Sequence, residues 1–262
     1  MRLPRSWVNA RAAVAMLLAL SCASVEARPL AAIKAGGTLK VGLTGDYAPY
    51  SLRGADGEIR GADVTMAQSL AKTLRVTLEI VPTTWKTVQD DMQADRFDIA
   101  MGGVSVTPDR AAVGDFSVTV MRDGKRPIVR CTDKERYTSV AAIDRPGVRV
   151  VVNPGGTNER FAKANFPHAR LDEHADNRTI FDDLMDHQAD VMVTDGAEVD
   201  DQARRHPGVL CPADVAGSFD QFDKAYWMTR DKALKGAVDA WLEKALKAGD
   251  YQKALAAAAA EK

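Results

Sequence analysis

The chain has 262 residues, 46% apolar and 27% charged, with 35 basic against 36 acidic side chains. That is ordinary globular composition, long enough for a core split over two lobes, and it excludes a disordered chain, a collagen-like repeat and a disulfide-dense miniprotein. The basic residues form no long run, which argues against nucleic-acid binding and against a polybasic membrane patch.

Arg2, Arg5 and Arg11 precede the apolar run 12–20, far shorter than the roughly 20 residues a membrane span needs. With Val25 and Ala27 as small residues at the −3 and −1 positions, this predicts a cleavable signal over residues 1–27, a mature chain starting at Arg28, and export. A lipoprotein acylated at Cys22 fits less well, because Ala19 stands where an aliphatic Leu is usual. No later stretch reads as a membrane span. Export leaves Cys131 and Cys211 as the two thiols of the mature chain in an oxidising compartment, and a disulfide between them is the preferred reading over two buried free thiols. Closing a loop of about 80 residues contributes on the order of 4 kcal/mol in the chain-entropy model.

From residue 38 onward, short β-rich runs alternate with helical periodicity. Strands are predicted at 38–43, 77–81 and 97–103, with helices at 62–74 and 85–94 between them. A second series has strands at 148–153, 169–174 and 189–194, with helices at 157–165, 179–186 and 197–205. Such alternation signals βαβ units and parallel sheets, hence two α/β lobes. Residues 126–131 and 224–229 are strand-like segments at the two ends of the second series and read as a pair of crossover strands. Lobe 1 is then discontinuous, 28–127 plus 226–262, and lobe 2 is the insert 128–225. A small-molecule site is expected in the cleft between them, at the carboxyl ends of strands. The alanine-rich stretch 254–260 reads as the end of a helix.

Several strand ends carry candidate chemistry. Gly102 to Arg110 follows a buried strand and opens a helix with Thr107 at the N-cap and Pro108 at N1. Backbone amides around Gly103, Ser105 and Thr107, with the planar fork of Arg110, make a carboxylate clamp; the plain alternative is a capped surface helix with Arg110 in solvent. On the other lobe, Asn153 to Asn158 stands between strand and helix, so Gly156 and Thr157 offer a second set of anion-binding amides. The segment lacks the Gly-Lys-Ser/Thr ending of a nucleotide loop. Two such helix starts facing each other suit a ligand with two carboxylates, or one carboxylate and another polar head.

Asp46, Tyr47 and Trp85 stand where they can wall the cleft, although aromatic residues are more often core. Lys125 precedes the first crossover strand, where it either reaches the cleft or is solvated. At Thr194-Asp195-Gly196-Ala197-Glu198, Glu198 either faces a ligand or, with Asp195 as N-cap, forms a capping box that needs none. His168, His174, His187 and His206 are dispersed without metal spacing, and neither a nucleophile elbow nor an HExxH pattern occurs.

The segment 45–50, Trp85, 102–110 with Asp115-Phe116-Ser117, and 154–158 together resemble the periplasmic amino-acid-binding proteins of transport systems, over nearly all of the mature chain. The resemblance implies a two-lobed fold of the type II periplasmic-binding-protein kind, with two crossover strands and an interlobe cleft. Within that superfamily, 122–127, 151–159, 194–198 and Lys224-Ala225-Tyr226 are similar to one branch, the exported cyclohexadienyl dehydratases. Two departures are Tyr50, where Phe is the usual residue, and the acidic Asp200-Asp201 after Glu198.

What this second resemblance implies is a periplasmic lyase that needs no cofactor. It converts prephenate to phenylpyruvate, or arogenate to phenylalanine, by loss of carbon dioxide and water. Glu198 would be the general acid, Arg110 with the amides near Ser105 and Thr107 would anchor one carboxylate, and Lys125, Asn153 and Thr157 would meet the other carboxylate or the leaving hydroxyl. The competing expectation is a solute receptor of an importer. In that reading Arg110 binds an α-carboxylate, Asp195 an α-ammonium, and Glu198 is only a cap.

Overall fold

Runs of β-branched residues build two five-stranded sheets, and amphipathic helices cover them. A computed structural model describes residues 28–260; the expected signal segment 1–27 lies outside the described residues. In chain order, α1 (Leu30–Gly36) leads into β1 (Thr38–Leu43). A small antiparallel sheet follows, of β2 (Asp46–Tyr47), β3 (Ser51–Arg53) and β4 (Ile59–Arg60). Then come α2 (Ala62–Leu74), β5 (Thr77–Pro82), α3 (Val88–Gln93), β6 (Ile99–Ala100), α4 (Pro108–Val113) and β7 (Asp115–Phe116).

The chain continues through β8 (Met121–Asp123), β9 (Lys125–Arg130), a 3-10 turn at Cys131–Asp133, α5 (Val140–Ile143), β10 (Arg149–Val152) and α6 (Thr157–Asn165). It goes on through β11 (Arg170–Glu173), α7 (Asp182–Met185), β12 (Val191–Asp195), α8 (Gly196–Arg205) and β13 (Leu210–Pro212). It returns through β14 (Phe222–Lys224) and β15 (Trp227–Met228) and ends on α9 (Lys232–Lys247) and α10 (Asp250–Ala260). The alanine-rich stretch lies within α10. No helix among the described residues is long and apolar enough to cross a membrane.

The first sheet runs β5-β1-β6-β15-β7 and the second β11-β10-β12-β9-β13. In each, a central strand pairs in parallel with two neighbours, β1 with β5 and β6, and β10 with β11 and β12. A strand from beyond the βαβ series then adds antiparallel. The second sheet is buried on both faces: Val150, Val152, Val191 and Val193 pack on one side with Phe166 and Ile143, while Val151, Met192 and Ile128 pack on the other with Ile180 and Val199. Helix α2 buries Val64, Ala67, Leu70, Ala71 and Leu74, spaced at three and four residues, and stops where Arg75 turns left-handed at φ 60°.

One pairing differs from expectation. Residues 126–131 and 224–229 do not pair with each other: β9 joins the second sheet beside β12 and β13, and β15 joins the first beside β6 and β7. The ribbon connecting the lobes is built from the segments just before them, β8 and β14, with Asp123 opposite Phe222 and Met121 opposite Lys224. The reason is polarity. Trp227, Met228, Ile128 and Val129 are wholly buried and belong in sheet interiors, whereas Arg122 and Asp223 of the ribbon pair at 3.2 Å near solvent. The division expected after residue 127 falls inside β9. Helices at 85–94 and 179–186 are shorter than their periodicity predicts, and the two- and three-residue strands of the small sheet are too short to show any period.

The Cys131–Cys211 disulfide is present. It ties the turn after β9 to β13.

Candidate active site

The cleft is lined from the first lobe by Tyr47, Trp85, Gly103, Ser105 and Arg110, and from the second by Asn153, Gly156, Thr157, Asn158 and Asp195. All but Asn158 are among the sequence-predicted site residues. The space enclosed is only about 20 Å³, room for a single water, so the lobes are closed on each other. A larger hollow of about 660 Å³ lies against the ribbon at Asp123, Gly124 and Gly196 and contains none of the predicted site residues.

On the first lobe, the Thr107 hydroxyl accepts from the Arg110 amide at 3.4 Å, with Pro108 in the first helical position. Thr107 therefore caps α4 and does not line the cleft. Arg110 is 3% exposed, donates from Nη1 to the Ser105 carbonyl at 2.9 Å, and stands 5.9 Å from the Trp85 ring centroid. Burial lowers its pKa to about 10, so it is charged at neutral pH, and no carboxylate among the described residues pairs with it. Its remaining guanidinium donors are available to a ligand. Asp46 does not line the cleft either: it accepts from Trp85 Nε1 at 3.1 Å and sets the indole, which meets Tyr47 edge-on at 5.4 Å.

The glycine turn corrects a sequence expectation. The amides of Gly102 and Gly103 do not point into the cleft but donate to Oδ2 of buried Asp63 at 2.8 and 3.0 Å, and the Tyr226 hydroxyl donates to Oδ1 at 2.8 Å. Gly103 instead gives the cleft a wall without a side chain: at φ 75°, an added Cβ would stand 2.7 Å from the Tyr50 ring. Burial raises the Asp63 carboxyl to about 6.

On the second lobe, Lys125 is buried. Its Nζ donates to Thr157 Oγ1 at 2.9 Å, to Asp195 Oδ1 at 2.5 Å, and to Asn158 Oδ1. Lys224, from the ribbon strand β14, donates to Asp195 Oδ2 at 2.6 Å and to the Gly103 carbonyl at 2.8 Å; the Tyr47 hydroxyl also donates to Asp195 Oδ2. Burial by itself would raise the Asp195 pKa, but the two ammonium groups hold it well below the usual carboxylate range. The amides at the start of α6 carry no side-chain cap, which leaves the Gly156–Thr157 turn open toward a ligand.

The capping-box reading of Asp195 and Glu198 is overturned. Asp195 has the backbone of an N-cap, yet its side chain makes no cap bond; Asp123 from the ribbon caps α8 instead, accepting from Gly196 and Ala197 at 3.0 and 3.3 Å. Glu198 is 1% exposed. Its Oε2 accepts from Thr194 Oγ1 at 2.5 Å and its Oε1 from Asn177 Nδ2 at 3.1 Å. Burial, with the charges of Asp195 and Asp46 adding to it, pushes its pKa up to about 8. It stands behind the lining, linked to Asn158 through Thr194. Asp200 and Asp201 point away, to Arg126 and to Arg204 and Arg205.

Lys224, Thr194, Asn158, Asn177 and Asp123 are site residues that sequence reasoning left without roles. The first three and Asp123 lie inside recognised motifs, which was the only signal available. Asn177 carries none.

A family model described as bacterial extracellular solute-binding proteins, family 3, matches residues 39–257. The chain belongs to this family. A family relative from Pseudomonas aeruginosa, "Cyclohexadienyl dehydratase", is 44% identical over 94% of this chain and 92% of its own. A solved structure titled as the ancestral amino acid-binding protein AncCDT-1, a precursor of cyclohexadienyl dehydratase, superimposes with a TM-score of 0.78 at 32% identity over 86% of this chain and 96% of its own. The substrate-binding protein AbpA from Streptococcus pneumoniae, bound to L-arginine, superimposes at 0.81 with 29% identity over 88% and 100%. The family's two-lobed architecture is the one described above.

Proposed function

We propose that the protein is a cyclohexadienyl dehydratase, an exported lyase acting on prephenate or arogenate. The observation that carries this reading is Glu198, a carboxyl buried beside the cleft and raised to about 8, hence neutral at physiological pH. A carboxylic acid kept protonated in this way is a competent general acid. Support also comes from the charge balance. From behind the lining, Lys125 and Lys224 pair with Asp195, while Arg110 in the lining pairs with no carboxylate among the described residues, which suits a ligand carboxylate.

In this reading, Arg110 holds one substrate carboxylate while Lys125, Asn153, Gly156 and Thr157 meet the second lobe's end of the ligand. The ring carboxylate leaves as carbon dioxide, and its C–C bonding pair enters the ring. The ring C–O bond breaks as Glu198 gives its proton to the departing hydroxyl, which leaves as water, and Glu198 recovers a proton from solvent. Aromatisation drives the step, so the chain's task is to orient the substrate, exclude water and deliver one proton. Because the closed cleft is smaller than the substrate, entry requires the proposed lobes, 28–127 plus 226–262 and 128–225, to part about the β8–β14 ribbon. The family's extracellular character fits the expected leader and supports a periplasmic location.

The test is ultraviolet detection of phenylpyruvate formed from prephenate by purified protein, with Glu198→Gln and an enzyme-free blank in parallel. Turnover by the wild type that falls at least about a hundredfold in the variant, the scale of a lost general acid, is the expected result. Wild-type turnover that Glu198→Gln retains removes Glu198 from the mechanism, and absence of wild-type turnover overturns the dehydratase reading.

A further inference from the structure

Three hydrogen bonds run in one direction, from Lys125 through Asn158 and Thr194 to Glu198. An ammonium only donates, so the atom of Asn158 that meets Lys125 Nζ is the carbonyl oxygen Oδ1. The Asn158 amide nitrogen is thereby turned the other way, to Asn153 Oδ1 at 3.1 Å and to Thr194 Oγ1 at 2.9 Å, which uses both of its hydrogens. Thr194 Oγ1 accepts there and has its own hydrogen left, which it gives to Glu198 Oε2 at 2.5 Å.

This order fixes where the acid carries its proton. Thr194 is 0% exposed and Glu198 1%, so water does not replace a partner lost at either. A proton on Oε2 would face the Thr194 hydrogen, or turn that hydroxyl away from its one acceptor among the described residues. The proton therefore belongs on Oε1. That oxygen stands where the lobes meet, since the Asn177 nitrogen that reaches it at 3.1 Å also reaches the Asp46 carbonyl at 2.9 Å.

Resting on the reading of Glu198 as the acid of a dehydratase, we propose that Thr194 is a positioning residue for the reaction: its hydroxyl occupies Oε2, keeps the acid proton on Oε1, and stabilises the carboxylate left when that proton is delivered. As the Oε1–H bond breaks, the proton passes to the oxygen of the departing hydroxyl and the bonding pair stays on Glu198. Negative charge then develops on a carboxyl held out of water. A donor already aimed at Oε2 meets that charge without reorganising, and the Asn158 amide and Lys125 ammonium behind it polarise the hydroxyl in the same sense. The ionisable groups facing Glu198 are Asp195 at the end of β12, Asp46 and Tyr47 on β2, and Tyr50 just before β3. Replacing Thr194 leaves all of them in place.

The experiment compares the wild type with Thr194→Val, which keeps a branched strand residue and loses the hydroxyl, and with Thr194→Ser, which keeps the hydroxyl. The readouts are kcat and KM for prephenate across the alkaline limb. We expect Thr194→Val to lower kcat about tenfold or more and to leave KM within about twofold, because Thr194 does not line the cleft. It should also move the limb upward from about 8, since a donor to the carboxylate is gone. Thr194→Ser should restore the limb. A merely structural role lowers activity alike at every pH and leaves the limb in place; that result overturns the proposal, as does a limb that Thr194→Ser moves equally. Should Thr194→Val not fold, Thr194→Cys, whose thiol donates weakly, takes its place, and a limb at the wild-type pH then overturns the proposal. The infrared band of the protonated Glu198 carboxyl, assigned by its loss in Glu198→Gln, titrates without substrate, and its midpoint should rise in Thr194→Val. If the wild type turns over no prephenate, the dehydratase reading fails and takes the catalytic role of Thr194 with it, while the infrared midpoint still decides whether the hydroxyl holds the acid; an unmoved midpoint overturns that as well.

Discussion

Asn177 donates to Oε1 of Glu198 at 3.1 Å with the same nitrogen that donates to the Asp46 carbonyl at 2.9 Å. The proposed acid of the second lobe is thereby linked through one amide to β2 of the first, so closing the cleft also completes the surroundings of the acid. Replacing Asn177 with Ala removes two hydrogen bonds, each contributing about 1 kcal/mol net, and should lower kcat/KM about tenfold or more. Because Asn177 hydrogen-bonds the ionised carboxylate and so opposes the rise in its pKa, its loss should also move the alkaline limb of the pH–rate profile upward. An unchanged profile and rate would show that this bond has no part in the reaction.

The raised pKa of Glu198 sets the pH dependence of activity. An acid is active while protonated, so kcat/KM should be level on the acidic side and fall as pH rises through about 8. The residual activity of Glu198→Gln should lack that limb. A limb at the same pH in the variant would assign it to another group.

Stability follows the same group with a definite sign. The folded value of about 8 lies above the ordinary 4.5, so the contribution of neutral Glu198 is complete below pH 4.5 and is lost as pH rises toward 8. In urea unfolding at pH 5 and at pH 8.5, the wild type should lose stability relative to Glu198→Gln at the higher pH. Parallel pH dependence in the two proteins would contradict burial of the acid.

Gly155 packs closely against Lys86. It sits at φ 87°, and an added Cβ would stand 2.5 Å from the Lys86 Cα across the cleft. Gly155→Ala should cost only about 1 kcal/mol of folding stability from its left-handed backbone, yet reduce kcat/KM at least about tenfold by obstructing closure. Small-angle scattering in saturating phenylpyruvate checks this: the variant should be more extended than the wild type.

The disulfide stands apart from the cleft, joining the turn after β9 to β13. Replacing Cys131 and Cys211 with Ser should lower stability by about 2–4 kcal/mol while kcat at 25 °C stays within twofold or so. Chemical denaturation and the phenylpyruvate assay separate the two effects.

Local pattern carried a large part of this fold. The bounds of α2 and α6, the strands β1, β5 and β10, and the Thr107 cap at the start of α4 follow from periods and caps that span a few residues. The same pattern also located the three strand ends that line the cleft. It did not reveal the β8–β14 ribbon, because the more apolar β9 and β15 resemble crossover strands until two sheet interiors compete for them.

At the site, the division falls along sequence distance. Residues 194–198 are identical whether Asp195 caps a helix or holds two lysines, and the spacing is that of a capping box in either case. What decided between them came from farther along the chain: Lys125 and Lys224 took the Asp195 carboxylate, Asp123 took over the cap, and Asn177 closed on Glu198. The sequence by itself determined which chemical groups stand at the ends of which strands, since secondary structure answers to neighbours a few positions away. Only the tertiary structure decided their charge states and their partners, because desolvation and Coulomb forces act through space, among residues that the chain brings together across 21 to 148 positions.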